Sequence, residues 1–254
     1  MGRRARDKSS TGIYHIMLRG INRQDIFNDD EDRRKFIETL EKYKEISQCE
    51  IYGYCLMSNH IHLLIKEGKE SIGNTMKRIG VSYVYWYNIK YERYGHLFQG
   101  RYKSEKVEDD KYLMVVLRYI HQNPLKARMV DTVDEYKWSS YSDYIEMKST
   151  LINMCFIYNI LSDDSNKAIK MFQEFMNEEN KDKCLDYNSR RSRITDEDAR
   201  KIMKKIIKSD NPQVLQQISK VQRDAIIREF KEMGISIRQL ARITGLGRSV
   251  IEKA

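Results

Sequence analysis

The stretch 54–65, YCLMSNHIHLLI, constrains the fold of this chain more than any other. Its second half is a short apolar run that follows the turn residues Ser58 and Asn59, a pattern typical of a β-strand. Because side chains alternate along a strand, His60 and His62 are predicted to share one face. Two imidazoles on one face can bind a divalent metal together, although a histidine pair on a half-exposed sheet is the more ordinary interpretation of an H-x-H triplet.

A second informative stretch, residues 111–130, reads KYLMVVLRYIHQNPLKARMV. Its apolar residues recur at helical spacing, which predicts a helix over about residues 110–122. Because a proline disfavours helical geometry in the residue before it, Asn123 and Pro124 predict the end of this helix. Tyr119 and Asn123 are four residues apart and are expected to lie on one face, as a candidate nucleophile and a candidate oxygen ligand. With 17 tyrosines in the chain, Tyr119 alone would be interpreted as an ordinary amphipathic residue.

The secondary-structure pattern of the first half predicts an α+β fold. Strands are predicted near residues 13–19, 50–57, 59–66 and 101–108, with helices between most of them. The junction at Ser58 and Asn59 is short enough to make the second and third strands an antiparallel hairpin. The predicted architecture is a small antiparallel sheet with helices on one face, in a domain that spans residues 1–148.

The remainder of the chain predicts two further segments. Residues 149–189 are interpreted as a connecting helical segment. Residues 190–254 contain 16 basic against 8 acidic side chains, an excess that predicts a polyanionic partner such as DNA. Near their end, Ser236 is a candidate helix cap, TGLG a turn and Ser249 the start of another helix, which predicts a helix-turn-helix module. A solvated helical bundle without DNA contacts would have a similar sequence.

Composition excludes several classes of protein. The 254 residues contain no apolar run of about 18 or more, so no membrane span is expected. The basic sequence MGRRARDKSS is followed by no apolar segment, which argues against a secretory signal. The four cysteines show no C-x-x-C spacing, and free thiols in a cytoplasmic protein are the simpler interpretation.

Taken together, the motifs of this chain resemble those of the single-tyrosine HUH nucleases, and most closely the REP-associated tyrosine transposases related to small insertion-sequence transposases. They occur in the family's order over roughly residues 13–145, as YHIMLRGINRQDIF, YCLMSNHIHLLI, GHLFQGRYKSEKVE, RYIHQNPLKA and YKWSSY. An H-x-H triplet is weak evidence by itself, whereas its combination with Y-I-x-x-N-P at this distance is specific.

The resemblance implies a ferredoxin-like or palm-like sheet and roles for four residues. By matching, His60, His62 and Asn123 would bind a divalent metal, and Tyr119 would attack DNA to form a covalent phosphotyrosine. Nitrogen and amide-oxygen ligands without a thiolate suit Mg²⁺ or Mn²⁺. The implied activity is cleavage and rejoining of single-stranded DNA at hairpin or REP-type sequences. REP-associated members are expected to act as monomers, whereas related transposases can be dimers.

Basic residues near these motifs are the predicted DNA contacts. They are Arg101, Lys103, Arg118 and Lys126 in the nuclease domain, and Arg238, Arg242 and Arg248 in the C-terminal module. The alternative function is that of a DNA-binding regulator, specific for a sequence or a hairpin, that keeps the fold without cleaving DNA. The presence of all four residues predicted to form the active site favours the enzyme.

Overall fold

The computed structural model describes residues 7–180, 182–185, 196–207, 209, 211–233 and 235–254. The chain divides into two compact units, Met1–Leu185 and Asp186–Ala254. The segment predicted to connect two domains, 149–189, lies in the first unit as far as residue 185, and the boundary predicted near residue 190 lies outside the described residues. Within the described ranges, no helix has the length and apolar character needed to cross a membrane.

The first unit is built on a four-stranded antiparallel sheet in the order β2-β3-β1-β4. Its strands are β1 (Ile13–Arg19), β2 (Glu50–Met57), β3 (His60–Lys66) and β4 (Lys103–Val107). A two-residue turn joins β2 and β3 into the hairpin that the sequence predicts. In the register of β1 against β3, Met17 lies opposite His62 and Arg19 opposite His60. These side chains therefore share one side of the sheet, the histidine face.

Helices and short turns fill the rest of the first unit. The helices are α1 (Asp30–Ser47), α2 (Ile72–Lys90), α3 (Asp110–His121), α4 (Asn123–Lys126), α5 (Tyr141–Glu146), α6 (Met154–Leu161) and α7 (Ser165–Asn177). Short 3-10 turns lie at Ile21–Arg23 and Val133–Glu135. The α1 helix begins at a capping box, in which the Asp29 side chain accepts from the Asp32 amide at 2.9 Å.

Helices lie on both faces of the sheet rather than on the one face predicted. On the histidine face, α3 packs so closely that a Cβ added at Gly53 would lie 2.4 Å from Leu117 Cδ1. On the opposite face, Leu18 borders a groove together with Met76 and Val84 of α2. The physical reason is that all the side chains in the middle of β3 are buried, so both sides need apolar cover. The predicted α+β fold with a small antiparallel sheet is confirmed.

The close contact at Gly53 makes a testable prediction about packing. A Gly53→Ala substitution is expected to destabilise the protein by about 1–3 kcal/mol, because the new methyl group would overlap Leu117 in a filled core. The melting temperature, followed by circular dichroism, should fall by roughly 2–10 °C. The matched control is Gly80→Ala in α2, where an added Cβ meets no atom within 4 Å and the helix favours alanine. Equal melting temperatures for the two variants would contradict this packing.

The end of α3 positions two residues that the sequence analysis singled out. The helix begins where the Asp109 side chain accepts from the Tyr112 amide at 2.7 Å, and its last turn contains Tyr119. It ends at His121, as predicted, and α4 begins at Asn123 with a proline in its first turn. Between the two helices, the side-chain amide of Gln122 donates to the backbone carbonyl oxygens of Met176, at 2.8 Å, and Glu178, at 2.9 Å. These bonds hold the junction that places Asn123 one turn beyond Tyr119.

The second unit is helical. It contains α8 (Asp196–Ile207), a 3-10 turn (Pro212–Gln216), α9 (Lys220–Glu232), α10 (Ile237–Thr244) and α11 (Arg248–Lys253). Its core includes Met203, Leu215, Ile227, Phe230, Leu240 and Ile251. The Ser236 side chain caps α10, and Gly245 ends it with a φ of +73°, a conformation that favours glycine. The helical C-terminal module and its two terminal helices thus agree with the sequence, while its binding to DNA stays a prediction.

Candidate active site

The two histidines of β3 lie side by side on the histidine face. Their ring centroids are 5.1 Å apart and the rings are nearly perpendicular, at 83°. His60 is half-buried, and its Nδ1 lies 2.7 Å from Asn59 Oδ1. Its Nε2 lies 3.4 Å from Asn123 Oδ1, which belongs to α4. The strand and the helical segment therefore bring an imidazole nitrogen and an amide oxygen together, although they are 63 residues apart.

His62 is fully buried. Its Nδ1 lies 2.9 Å from His15 Nε2, whereas its own Nε2 is buried without a hydrogen-bond partner among the described residues. Burial lowers the pKa of His62 well below its ordinary value, and the nearby His15 and His60 lower it further. The side chain is therefore a neutral imidazole, which is the form that binds metals.

Tyr119 projects from α3 onto these histidines. Its side chain is mostly buried, and its ring centroid lies 5.7 Å from that of His62 and 5.9 Å from that of His15. Lys126 Nζ lies 5.0 Å from the centre of the Tyr119 ring, within the range of a cation–π interaction. The phenol thus lies between the histidine face and a positive charge.

The donor set of His60, His62 and Asn123 fits a divalent metal. Among the described residues, His62 Nε2 has no hydrogen-bond partner. Burying such a polar atom costs free energy unless a ligand binds it. The Asn123 oxygen lies next to the corresponding nitrogen of His60. The described residues contain no group of three His, Cys, Asp or Glu side chains that could hold a metal ion, so such a site here depends on the asparagine.

His15 and Glu105 extend the site beyond the residues predicted from the sequence. His15 is fully buried in β1, and its Nδ1 lies 3.7 Å from Glu105 Oε2 in β4. Burial alone would raise the pKa of Glu105, but its interactions with the nearby His15, Tyr112 and the Leu185 amide lower it below its ordinary value. A carboxylate, His15 and His62 therefore form one chain of contacts. Strand alternation could have placed His15 on a defined face of β1, but only the strand pairing shows what it faces.

The predicted DNA contacts of the first unit fall into two groups. Arg101 and Lys126 are exposed, and Lys103 is half-buried on β4. Arg118 is buried instead, and its guanidinium donates to Glu178 at 2.6 Å and to Asp182 at 3.0 Å. It also stacks on Phe175 at 4.0 Å. The prediction of a DNA contact at Arg118 is therefore corrected, because its charge is used to attach the end of α7 to α3.

The predicted contacts of the second unit all lie on its surface. Arg238 and Arg242 are exposed on α10, one turn apart, while Leu240 and Ile243 of the same helix are buried. Arg248 is exposed at the first position of α11. The three arginines thus occupy the two helices on either side of the Gly245 turn.

Comparison with known proteins agrees with this architecture. A sequence model of the family described as "Transposase IS200 like" matches residues 8–123, a little under half of the chain. This segment is therefore similar to IS200-like transposases. Among solved structures, "Structure of the REP associates tyrosine transposase bound to a REP hairpin" is similar in fold, with a TM-score of 0.50 and 17% identity. The alignment covers 61% of this chain and 90% of that one. No curated protein sequence matches this chain.

The segment that matches the family model contains the whole candidate site. The matched segment includes His15, His60, His62, Glu105 and Tyr119, and ends at Asn123. The resemblance to these transposases that the sequence motifs indicate is thus confirmed. The segment does not reach Lys126 or the second unit, whose roles rest on the arrangement of their own residues.

Proposed function

We propose that this chain is a metal-dependent single-stranded DNA endonuclease and strand transferase, acting as a monomer at hairpin or REP-type sequences. The observation that carries the proposal is the convergence of His60, His62 and Asn123 beside Tyr119, with the buried His62 Nε2 left open for a ligand. The family match supports a transposase, and the similar structure supports a hairpin substrate because that protein is bound to a REP hairpin.

His60, His62 and Asn123 would hold Mg²⁺ or Mn²⁺. When bound, the ion would neutralise charge on the non-bridging oxygens of the scissile phosphate. Both imidazoles must present an unprotonated nitrogen for this, and the lowered pKa of His62 meets that requirement. The absence of a thiolate or carboxylate among the three side chains favours a hard ion whose positive charge stays available to phosphate.

Glu105 and His15 would set the tautomer of His62. A negative carboxylate at Glu105 favours the proton of His15 on Nδ1, which faces it. His15 Nε2 is then an acceptor, so that His62 donates from Nδ1 and keeps a lone pair on Nε2. The opposite arrangement would place a proton on the very nitrogen that must bind the ion. The two residues therefore act as positioning residues for a ligand.

Tyr119 would be the nucleophile. Its phenol gives up its proton to solvent and its oxygen attacks phosphorus. The new Tyr119 O–P bond forms as the P–O3′ bond breaks, and the departing 3′-oxygen takes up a proton from solvent. Because the phosphotyrosine conserves the energy of the phosphodiester, a 3′-hydroxyl can later attack it and rejoin strands. The Lys126 ammonium, 5.0 Å from the centre of the phenol ring, would supply positive charge beside the attacking group. Arg101 and Lys103 are the remaining candidates in this unit for contacts with the DNA backbone.

The proposal is tested by trapping the intermediate. Purified protein is incubated with a 5′- and 3′-labelled hairpin that carries single-stranded flanks, with Mn²⁺ or with EDTA, and the products are separated on a denaturing gel. A labelled protein–DNA adduct that forms only with the metal, and whose DNA-bearing peptide contains Tyr119, is the expected result. Binding of the hairpin without any adduct under all conditions would favour a regulator that does not cleave DNA.

The second unit is proposed to bind DNA through the surface arginines beside the Gly245 turn. Full-length protein carrying glutamine at the three positions Arg238, Arg242 and Arg248 is expected to bind hairpin DNA with a flatter salt dependence. The slope of log K against log salt should fall by about 0.7–0.9 for each phosphate that the variant no longer neutralises. The control replaces three exposed cations of the same unit that lie outside α10 and α11, Arg200, Lys205 and Lys220. Equal slopes for the two triple variants would contradict a DNA-binding role for α10 and α11.

A further inference from the structure

A groove of about 890 Å³ lies on the sheet face opposite His62. It runs between α2 and the segment 96–102, and its floor includes Leu18 of β1. Leu18 pairs with Ile61, the residue between the two histidines, so the groove and the candidate active site are back to back across one layer of sheet. A single strand that passes the end of the sheet can therefore reach both.

The basic side chains that line this groove favour an anionic ligand. Lys77, His96 and Arg101 line it, all three are exposed, and no carboxylate is among its described lining residues. Within the described part of the chain, neither Lys77 nor Arg101 is ion-paired with a carboxylate, whereas the neighbouring Arg78 is paired with Glu70 at 3.1 Å. Lys77 also lines an adjacent groove of about 600 Å³, which likewise has no carboxylate in its lining. Two cations are thus available to phosphate groups.

The aromatic and aliphatic side chains that line the same groove favour a flat aromatic ligand. Phe98 and Tyr102 form one wall, and Val84 belongs to the helix on the other side. Tyr85 stands at the ridge between the two grooves with 70% of its surface exposed, and Val81 beside it is 62% exposed. Phe98 and Tyr102 are themselves buried, so Tyr85 offers the exposed ring. An exposed aromatic ring beside cations is an arrangement on which an unpaired nucleobase can stack while its phosphates contact the charges.

We propose that this groove binds an unpaired nucleobase of the single strand next to a hairpin, stacked on Tyr85, with Lys77 and Arg101 contacting the flanking phosphates. The inference rests on the proposed function, since it assigns a second site to the same DNA substrate. A base held behind the sheet would determine which phosphate along the strand reaches Tyr119. The groove is therefore a site that selects the position of cleavage, separate from the residues that carry it out.

The glycine at position 80 allows a test that leaves the charges and aromatic rings intact. Gly80 lines the groove, and a Cβ added there meets no atom within 4 Å. A Gly80→Leu side chain would therefore occupy the space proposed for the base. Leucine is much better tolerated in a helix than glycine, so this variant of α2 is expected to fold at least as well as the natural chain.

The experiment measures equilibrium binding of a labelled hairpin with an unpaired tail, and of the same hairpin without a tail. All proteins carry Tyr119→Phe and all solutions contain EDTA, so the result does not depend on cleavage. Gly80→Leu and Tyr85→Ala are each expected to weaken binding of the tailed hairpin by about 10-fold, the scale of one base–aromatic stacking interaction, and to leave the tail-less hairpin unaffected. Arg101→Gln should lower the salt slope on the tailed hairpin by about 0.7.

The matched control is Tyr94→Ala, because Tyr94 is 97% exposed and does not line the groove. Circular dichroism establishes that each variant is folded. Tailed-hairpin affinities equal to that of the control would overturn the proposal, as would equal losses of affinity on both hairpins. If the groove variants lose affinity for the tailed hairpin but protein with Tyr119 intact forms no adduct with Mn²⁺, the groove proposal stands and the nuclease proposal is wrong. If protein with Tyr119 intact forms the adduct but the groove variants bind the tailed hairpin as the control does, the nuclease proposal stands and the groove proposal is wrong.

Discussion

Replacing Tyr119 with phenylalanine is expected to abolish covalent attachment to hairpin DNA while leaving hairpin binding unchanged. The substitution removes one oxygen atom and keeps the ring that packs against His62 and His15, so the site should retain its shape. The cation–π contact with Lys126 also needs only the ring. Loss of a nucleophile typically lowers the rate by on the order of 10⁴-fold or more, which on a denaturing gel is complete loss of the adduct.

Tyr112 supplies the matched control for this experiment. It lies in the same helix, seven residues earlier, and is half-buried. Burial raises its pKa above the ordinary value of a tyrosine, and the neighbouring Cys184 and Glu105 add to the effect, so it is poorly suited to attack. Tyr112→Phe should therefore retain the adduct. If Tyr119→Phe protein still became attached to DNA, the nucleophile would be another residue and the role proposed for Tyr119 would be wrong.

Removing the imidazole of His62 is expected to weaken Mn²⁺ binding by at least about 100-fold, since one of three proposed protein ligands is removed. The measurement is calorimetric titration of metal-stripped His62→Ala protein with Mn²⁺ in the absence of DNA. His121→Ala is the control, because His121 is equally buried but lies 2.8 Å from Ser140 Oγ, away from the site. Burial lowers the pKa of His121 to about 3, so both variants remove a neutral imidazole.

The same titration distinguishes a ligand from a residue that orients it. His15→Phe keeps an aromatic ring in β1 but removes the acceptor for His62 Nδ1, and it should weaken Mn²⁺ binding by about 10–100-fold. We therefore expect Mn²⁺ to bind the natural chain and His121→Ala most tightly, His15→Phe more weakly, and His62→Ala most weakly. Undiminished Mn²⁺ affinity in the His62 variant would contradict the proposed ligand set. Equal losses of affinity at His62 and His121 would indicate a general effect on folding.

Local periodicity determined much of the fold and of the candidate site. The alternation of a strand places His60 and His62 on one face, and the pitch of a helix places Tyr119 beside Asn123. Both relations depend on residues within five positions of each other, so they follow from backbone geometry without knowledge of the rest of the chain. For the same reason, the bounds of the strands and of α3 could be predicted to within a few residues.

Only the tertiary structure decided which of these local features meet. His15 lies 47 residues from His62 and 90 from Glu105, and the order of the strands brings the three together. Arg118 follows the pattern of an exposed cation, yet residues 178 and 182 fold back to neutralise it. The groove between α2 and the segment 96–102 likewise exists because both border the same end of β1. Contacts between distant segments depend on how whole elements pack, and a periodic pattern in one segment contains no information about its neighbours in space.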